Sequence, residues 1–166
     1  FANRSTRRAC SAERSRTRSS RHRFRRRLRW LVARYQAGDI DFEVTAPPGI
    51  AGVYPSVGGQ FGSWPTDTLT GTLEVADTGT ATPTDGCDPL VGFTPGNIAL
   101  IDRGNCEFGL KGLNAENAGA SGVVIANNQG GTALINMIGG EFGRYVTIPV
   151  AAISQDDGAV IHGAMP

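Results

Sequence analysis

"NIALIDRGNCEFGLKGLNAENAGASGVVIAN", residues 97–127, carries the local order that decides the fold class. "NIALID" is a short apolar run of the kind that fills a buried strand. Residues 107–118 then read as a helix. Asn105 is placed to cap it, and Glu107 sits in its first turn, where the helix dipole favours an acid. Gly119 suits the left-handed position that ends a helix. "SGVVIAN", rich in β-branched residues, is a second buried strand. Strand, helix and strand within about 30 residues form a βαβ unit, so the strands at 97–102 and 121–126 are expected to run parallel.

Inside this unit lies Cys106, with Cys87 upstream in a turn-rich loop. A nucleophilic cysteine needs a base, usually histidine. Downstream of residue 38 the chain holds one histidine, His162, close to its end. Asp102 and Glu107 are alternatives, but Arg103 nearby would lower a carboxylate pKa, not raise it. A disulfide fits better. Folding "DPLVGFTPG" back along the strand brings Cys87 to Cys106, and closing such a loop contributes roughly 3 kcal/mol in the chain-entropy picture. Such bonds persist outside the cytosol. Cys10 has no evident mate. The cysteines and the histidine lack zinc spacing, and Asp85 with Asp88 are two loop acids of the kind water solvates. No metal, cofactor or catalytic residue is therefore expected.

Outward from the unit, "DIDFEVTA" (39–46) alternates polar and apolar residues and reads as a strand. "TGTLEVADTG" (70–79) is another, and "TIPVAAIS" (147–154) a buried one with its proline near the start. Gly and Pro break 50–65 into short strands and loops. Residues 128–145 form a Gly-broken surface loop. "QDDGAVIHGAM" opens a second helix, for which Asp156, Asp157 and Ser154 are candidate caps.

Charge divides the chain. Residues 1–34 hold 13 arginines and one acid, Glu13, whereas residues 35–166 hold Arg103, Lys111 and Arg144 against 14 acids. All 23 glycines and all nine prolines follow residue 34. The boundary is expected near Gly38. Residues 1–38 read as a disordered basic arm, with an amphipathic helix at 21–36 on the spacing of Phe24, Leu28, Leu31, Val32 and Tyr35. On this reading, deleting the arm leaves the melting temperature unchanged. The chain starts at Phe1 and stops at Pro166 inside a continuing pattern, so 39–166 is expected to be a domain truncated at its C-terminus.

The run Ile98-Ala99-Leu100-Ile101, Arg103-Gly104, Cys106, Phe108, Lys111, Ala115, Ala118-Gly119-Ala120 and Gly122-Val123-Val124-Ile125 resembles the protease-associated (PA) domain family. Cys87 stands at that family's upstream cysteine. Ile148-Pro149-Val150, Ser154 and Asp157-Gly158 look like its closing strand and helix start. The likeness covers about residues 74–162. It implies an α/β (β-rich α+β) fold: an open barrel or sandwich of mixed strands with a βαβ unit and short flanking helices. Arg103, Gly104, Phe108, Lys111, Ala115, Gly119, Pro149 and Gly158 become scaffold positions. Phe108, Ala115 and Ala118 are expected to be buried, and Arg103 to satisfy nearby carbonyls or to pair with Asp102 or Glu107.

The family further implies a non-catalytic, extracellular or envelope module of a secreted, proteolytic bacterial protein. Its partner would be a protein or peptide, including a neighbouring protease domain of the same full-length chain. Two other readings compete: a fragment of a hydrolase with its own activity, and a binder of nucleic acid or anionic membrane through the Arg-rich arm. Recognition usually sits on loops held by a rigid frame. Met137, Phe142, Arg144 and Tyr145 in the 128–145 loop are the candidate partner-binding residues, with Tyr54, Phe61 and Trp64 as neighbouring aromatic area. The alternative is that Met137, Ile138 and Phe142 fold onto the core.

Overall fold

The computed structural model describes residues 29–36, 39–63 and 68–165. Among the described residues, eight strands form one sheet: β1 (Arg29–Gln36), β2 (Asp39–Val44), β3 (Gly52–Tyr54), β4 (Ser56–Gly58), β5 (Leu69–Val75), β6 (Ile98–Asp102), β7 (Gly122–Ala126) and β8 (Val150–Ile153). The α-helices among the described residues are α1 (Phe108–Asn117) and α2 (Gln155–Ala164). The spatial order is β3-β2-β1-β5-β6-β7-β8-β4. The central strands β5, β6, β7 and β8 run parallel, and the outer pairings are antiparallel. β2 also lies beside β4, so the two ends of the sheet curl towards each other as an open barrel.

Alternation along the parallel strands sorts the core into two clusters. Ile98, Leu100, Val124, Ala126, Ala151 and Ile153 pack with Phe42 and Val44 of β2 and with Ile161 of α2. Ala99, Ile101, Val123, Ile125, Val150 and Ala152 pack with Ala115 of α1. The two helices thus cover opposite faces. Runs such as "IALI" and "VVIA" are apolar throughout because both faces of the strand are dry. Full burial of each large aliphatic side chain contributes about 1.5–3 kcal/mol.

The expected βαβ unit is present, with Ile98 to Asp102 in register with Gly122 to Ala126. α1 ends as expected, with Gly119 at φ 87° and its N–H donating to the Glu116 carbonyl. Its start differs. Asn105 is not the cap: it adopts φ 43°, and its side-chain amide donates to Asp85 Oδ2 at 2.8 Å. Glu107 occupies the cap position without a capping side-chain bond. α2 starts as anticipated: Ser154 Oγ accepts the Asp157 N–H at 3.1 Å.

The N-terminal expectation needs correction. Residues 29–36 are strand, not helix, and β1 is hydrogen-bonded to β2 on one side and β5 on the other. Two ladders of backbone bonds outweigh a helical spacing of apolar residues that an aromatic and β-branched stretch satisfies equally well in extended form. The sheet therefore begins before residue 38. Deleting 1–38 would strip an inner strand and leave β2 and β5 with open edges, so that deletion is not neutral. The Arg-rich segment 1–28, including the rest of the expected helix at 21–28, lies outside the described residues.

Candidate functional site

Three groups of side chains gather around the exit of β6 and the start of α1. The first is the corner holding Cys87 and Cys106, which are joined as a disulfide with Cα atoms 5.7 Å apart. The loop before β6 is pinned to it. Asp85 accepts the Cys87 N–H at 3.0 Å, the Thr82 hydroxyl at 2.8 Å and the Asn105 amide at 2.8 Å. Asn114 of α1 donates to the Gly86 carbonyl at 3.0 Å. Lys111, one helical turn into α1, is fully buried. Its ammonium donates to the Asp85 backbone carbonyl and lies 3.5 Å from Cys87 Sγ.

Electrostatics follow from this packing. Burial lowers the Lys111 pKa, and the nearby Asp85 and Asp102 only partly offset it. For Asp85, burial pushes upward, but the hydrogen bonds from Cys87, Asn105 and Thr82, with the Lys111 charge, outweigh it and hold the carboxyl below the usual range. Asp102 behaves likewise: burial raises it, and the hydrogen bonds from His162 and Thr84 and the charges of His162 and Lys111 bring it down. Between the lowered folded values and the ordinary value of 3.8, the unfolded chain binds protons that the folded chain does not. Stability contributed above that window is therefore lost as pH falls through it. Thermal melts between roughly pH 4 and 2 should show a steep fall for the native chain and a shallower one for Asp102→Asn. Equal slopes would contradict this account.

The second group is Asp102 itself. Its carboxylate stands between the Thr84 hydroxyl, at 2.5 Å, and His162 Nε2, at 3.0 Å. This ties the last turn of α2 to the end of β6. Nucleophilic catalysis would need the imidazole between hydroxyl and carboxylate. Here the carboxylate is in the middle, and with its pKa held low Asp102 is a weak base for the Thr84 hydroxyl. Among the described residues, no group of three or more His, Cys, Asp or Glu is arranged to hold a metal ion.

The third group is the 136–147 loop. Glu107 accepts the Glu141 N–H at 2.9 Å near the start of α1, and Glu116 accepts the Thr147 N–H at 2.8 Å near its end. The Met137 carbonyl accepts the Gln60 N–H at 2.9 Å. The loop is thus held along the length of α1. Its glycines let it lie flat there: Phe61 packs directly over Gly139 and Gly143.

Of the four candidate partner-binding residues, Met137 is withdrawn. It is 0% exposed and part of the α1-side core, because that face of the sheet needs a large flexible side chain beside Val146 and Ile101. Phe142 is half-buried, whereas Arg144 and Tyr145 are exposed, with the Arg144 guanidinium 4.7 Å from the centre of the Tyr145 ring. Ile138, which the alternative reading folded onto the core with Met137 and Phe142, is 64% exposed. Tyr54 points away from this surface: its ring packs by Phe42, and its hydroxyl donates to the Ile50 carbonyl at 2.6 Å. Trp64 lies outside the described residues.

The scaffold positions acquire distinct roles. Arg103 makes neither expected ion pair; its Nη1 donates to Asn127 Oδ1 at 3.0 Å and so joins the exits of β6 and β7. Gly104 turns the chain, its carbonyl accepting the Cys106 N–H at 2.6 Å. Ala115 is fully buried, but Phe108 and Ala118 are only half-buried, since α1 shows part of its first and last turns to solvent. The Pro149 carbonyl accepts the Val123 N–H at 2.8 Å just ahead of β8. A Cβ on Gly158 would lie 2.7 Å from that of Ala126, so this glycine lets α2 approach β7. Two features were not read from the sequence: the Asp102–His162 tie, which spans 60 residues, and the burial of Lys111 against a cysteine.

Comparison with known proteins matches residues 69–161 to the PA domain family. Signal peptide peptidase-like 2 of Arabidopsis thaliana is 39% identical over 84 residues, covering 49% of this chain and 15% of that protein. Leucine aminopeptidase 2 of Trichophyton rubrum is 43% identical over 65 residues, covering 39% of this chain and 12% of that protein. The structure of BSAP, a zinc aminopeptidase from Bacillus subtilis, superposes with a TM-score of 0.55 at 25% identity, covering 82% of this chain and 28% of that one. The chain thus spans less than a third of each. Plant and fungal proteins stand beside a bacterial one, so a bacterial setting does not follow.

Proposed function

Since the chain belongs to the PA domain family, we propose that it is a non-catalytic accessory module of a larger peptidase, working outside the cytosol and offering a protein- or peptide-binding surface beside the protease domain. PA domains are typically accessory modules of peptidases, and the proteins this chain resembles include aminopeptidases. The observation that supports a binding role most directly is the loop along α1. It presents Ile138, Arg144 and Tyr145 to solvent from a backbone tied down by Glu107 and Glu116. Exposed apolar and Arg–Tyr groups on a fixed backbone supply contact area at low ordering cost. Cys87 and Cys106, the two cysteines of the corner, are committed to a bond with each other, which favours an extracytosolic setting.

The experiment is binding of the full chain to an array of unstructured peptides of varied sequence, alongside incubation with fluorescent casein. The native chain should retain a subset of peptides and leave casein intact. Arg144→Ala/Tyr145→Ala should weaken the retained peptides by roughly tenfold or more while the melting temperature stays nearly constant, because both side chains face solvent. Unchanged retention by the folded double variant would remove this loop from the recognition surface. Casein cleavage by the purified chain would overturn the non-catalytic reading.

A further inference from the structure

A fully buried ammonium is costly unless it meets an anion. Lys111 makes no ion pair among the described residues. Its contacts are a backbone carbonyl, that of Asp85, and the sulfur of Cys87 at 3.5 Å. A sulfur in a disulfide carries no charge, so Lys111 faces an atom that becomes an anion only when the bond opens. Both cysteines are half-buried, not sealed, with exposed Asn105, Glu107 and Asp88 around them.

We propose that the Cys87–Cys106 bond is a thiol-exchange site, at which a dithiol reductant attacks Cys106 and expels Cys87 as a thiolate paired with the Lys111 ammonium. In the first step a reductant thiolate forms a bond to Cys106 Sγ, and the Cys106–Cys87 bond breaks. Cys87 leaves with the electron pair. In the second step the reductant's other sulfur, as thiolate, attacks its own partner sulfur in the mixed disulfide and displaces Cys106, which takes a proton. The reductant ends as its disulfide, two electrons having passed to the protein. Of the two protons it gives up, one goes to Cys106 and the other to solvent.

Direction follows from charge. The better leaving group is the sulfur whose thiolate is more stable. Lys111 is aimed at Cys87, not at Cys106. Asp85 opposes this as a nearby anion, but its carboxylate already receives three donors, whereas the ammonium lies against the sulfur itself. The corner has other ties, Asn105 to Asp85 and Asn114 to Gly86, so opening the bond loosens the loop and leaves it in place.

The test uses the full chain carrying Cys10→Ser, so that only the two corner cysteines remain. With Cys106→Ser added, iodoacetamide alkylation of Cys87 against pH should have a midpoint below about 7.5, where an ordinary thiol lies near 8.5. Adding Lys111→Met should return it to about 8.5 or above. In the chain with both cysteines, glutathione at neutral pH should form its mixed disulfide on Cys106, located by peptide mass mapping. Dithiothreitol should open the bond roughly fivefold faster or more than in Lys111→Met. A Cys87 midpoint at or above 8.5 with Lys111 present, or glutathione found on Cys87, overturns the proposal. Both readouts keep Lys111 in place, so they decide the matter even if Lys111→Met does not fold.

Discussion

Gly109→Ala is expected to lower the melting temperature by about 10 °C, corresponding to about 3 kcal/mol at this domain size. In an exposed helix the same change would stabilise by up to about 1 kcal/mol, because alanine is the better helix former. Here geometry reverses the sign. A Cβ at Gly109 would land within contact distance of the Gly139 carbonyl oxygen and the Gly143 nitrogen, and 2.7 Å from Gly143 Cα. All three are backbone atoms, which have no rotamer to turn away. Either α1 lifts from its cluster or the 139–145 loop detaches, and with it the Glu107 bond to the Glu141 N–H. Gly163→Ala in α2 is the control, since nothing lies within 4 Å of its would-be Cβ. Thermal melts of the two variants decide the matter. An unchanged melting temperature for Gly109→Ala would mean that the loop does not rest on α1.

Replacing both corner cysteines, as Cys87→Ser/Cys106→Ser, is expected to destabilise the chain by about 3 kcal/mol, the chain-entropy value for a loop of this size. The two residues are 19 apart in sequence and enclose β6, so the unfolded chain gains the freedom of that whole segment when the bond is absent. Folded-state contacts change less, because Asp85, Asn105 and Asn114 keep their hydrogen bonds. The loss should therefore appear as a lower urea midpoint with a somewhat steeper slope, because the unfolded chain without the cross-link is less compact. Dithiothreitol should lower the midpoint of the native chain and leave that of the double variant where it was. A double variant as stable as the native chain would show that other contacts close the loop in the unfolded state.

These effects trace to different ranges of interaction, and so does what the sequence discloses. The order strand, helix, strand over 97–127 was legible because each part depends on neighbours within a few residues: the apolar run of Ile98 to Ile101, the left-handed Gly119, the β-branched run after Gly122. A crossover connection then has one favoured hand and a parallel outcome. The pairing of Cys87 with Cys106 was within reach for a similar reason, since the strand between them is short and its loop rich in turn residues.

Other assignments needed contacts from far along the chain. In residues 29–36 the apolar spacing fits a helix on one side and a strand on both, and the choice was made by β2 and β5, which offer two ladders of hydrogen bonds. Met137 and Ile138 are adjacent and almost equally apolar, so the sequence ranks them alike. The fold buries Met137 and exposes Ile138 because the Met137 carbonyl is held by Gln60, from another part of the sheet. Lys111 reads as an ordinary helix residue until β6 and its preceding loop close over it and set its ammonium against Cys87. Asp102 and His162 meet across 60 residues only because α2 packs back along β7. Local periodicity and capping determined the elements of the βαβ core, since backbone preferences act over a turn or two. Burial, charge placement and the exposed face of the loop were decided by the tertiary structure, since those energies depend on which distant atoms exclude water from each side chain.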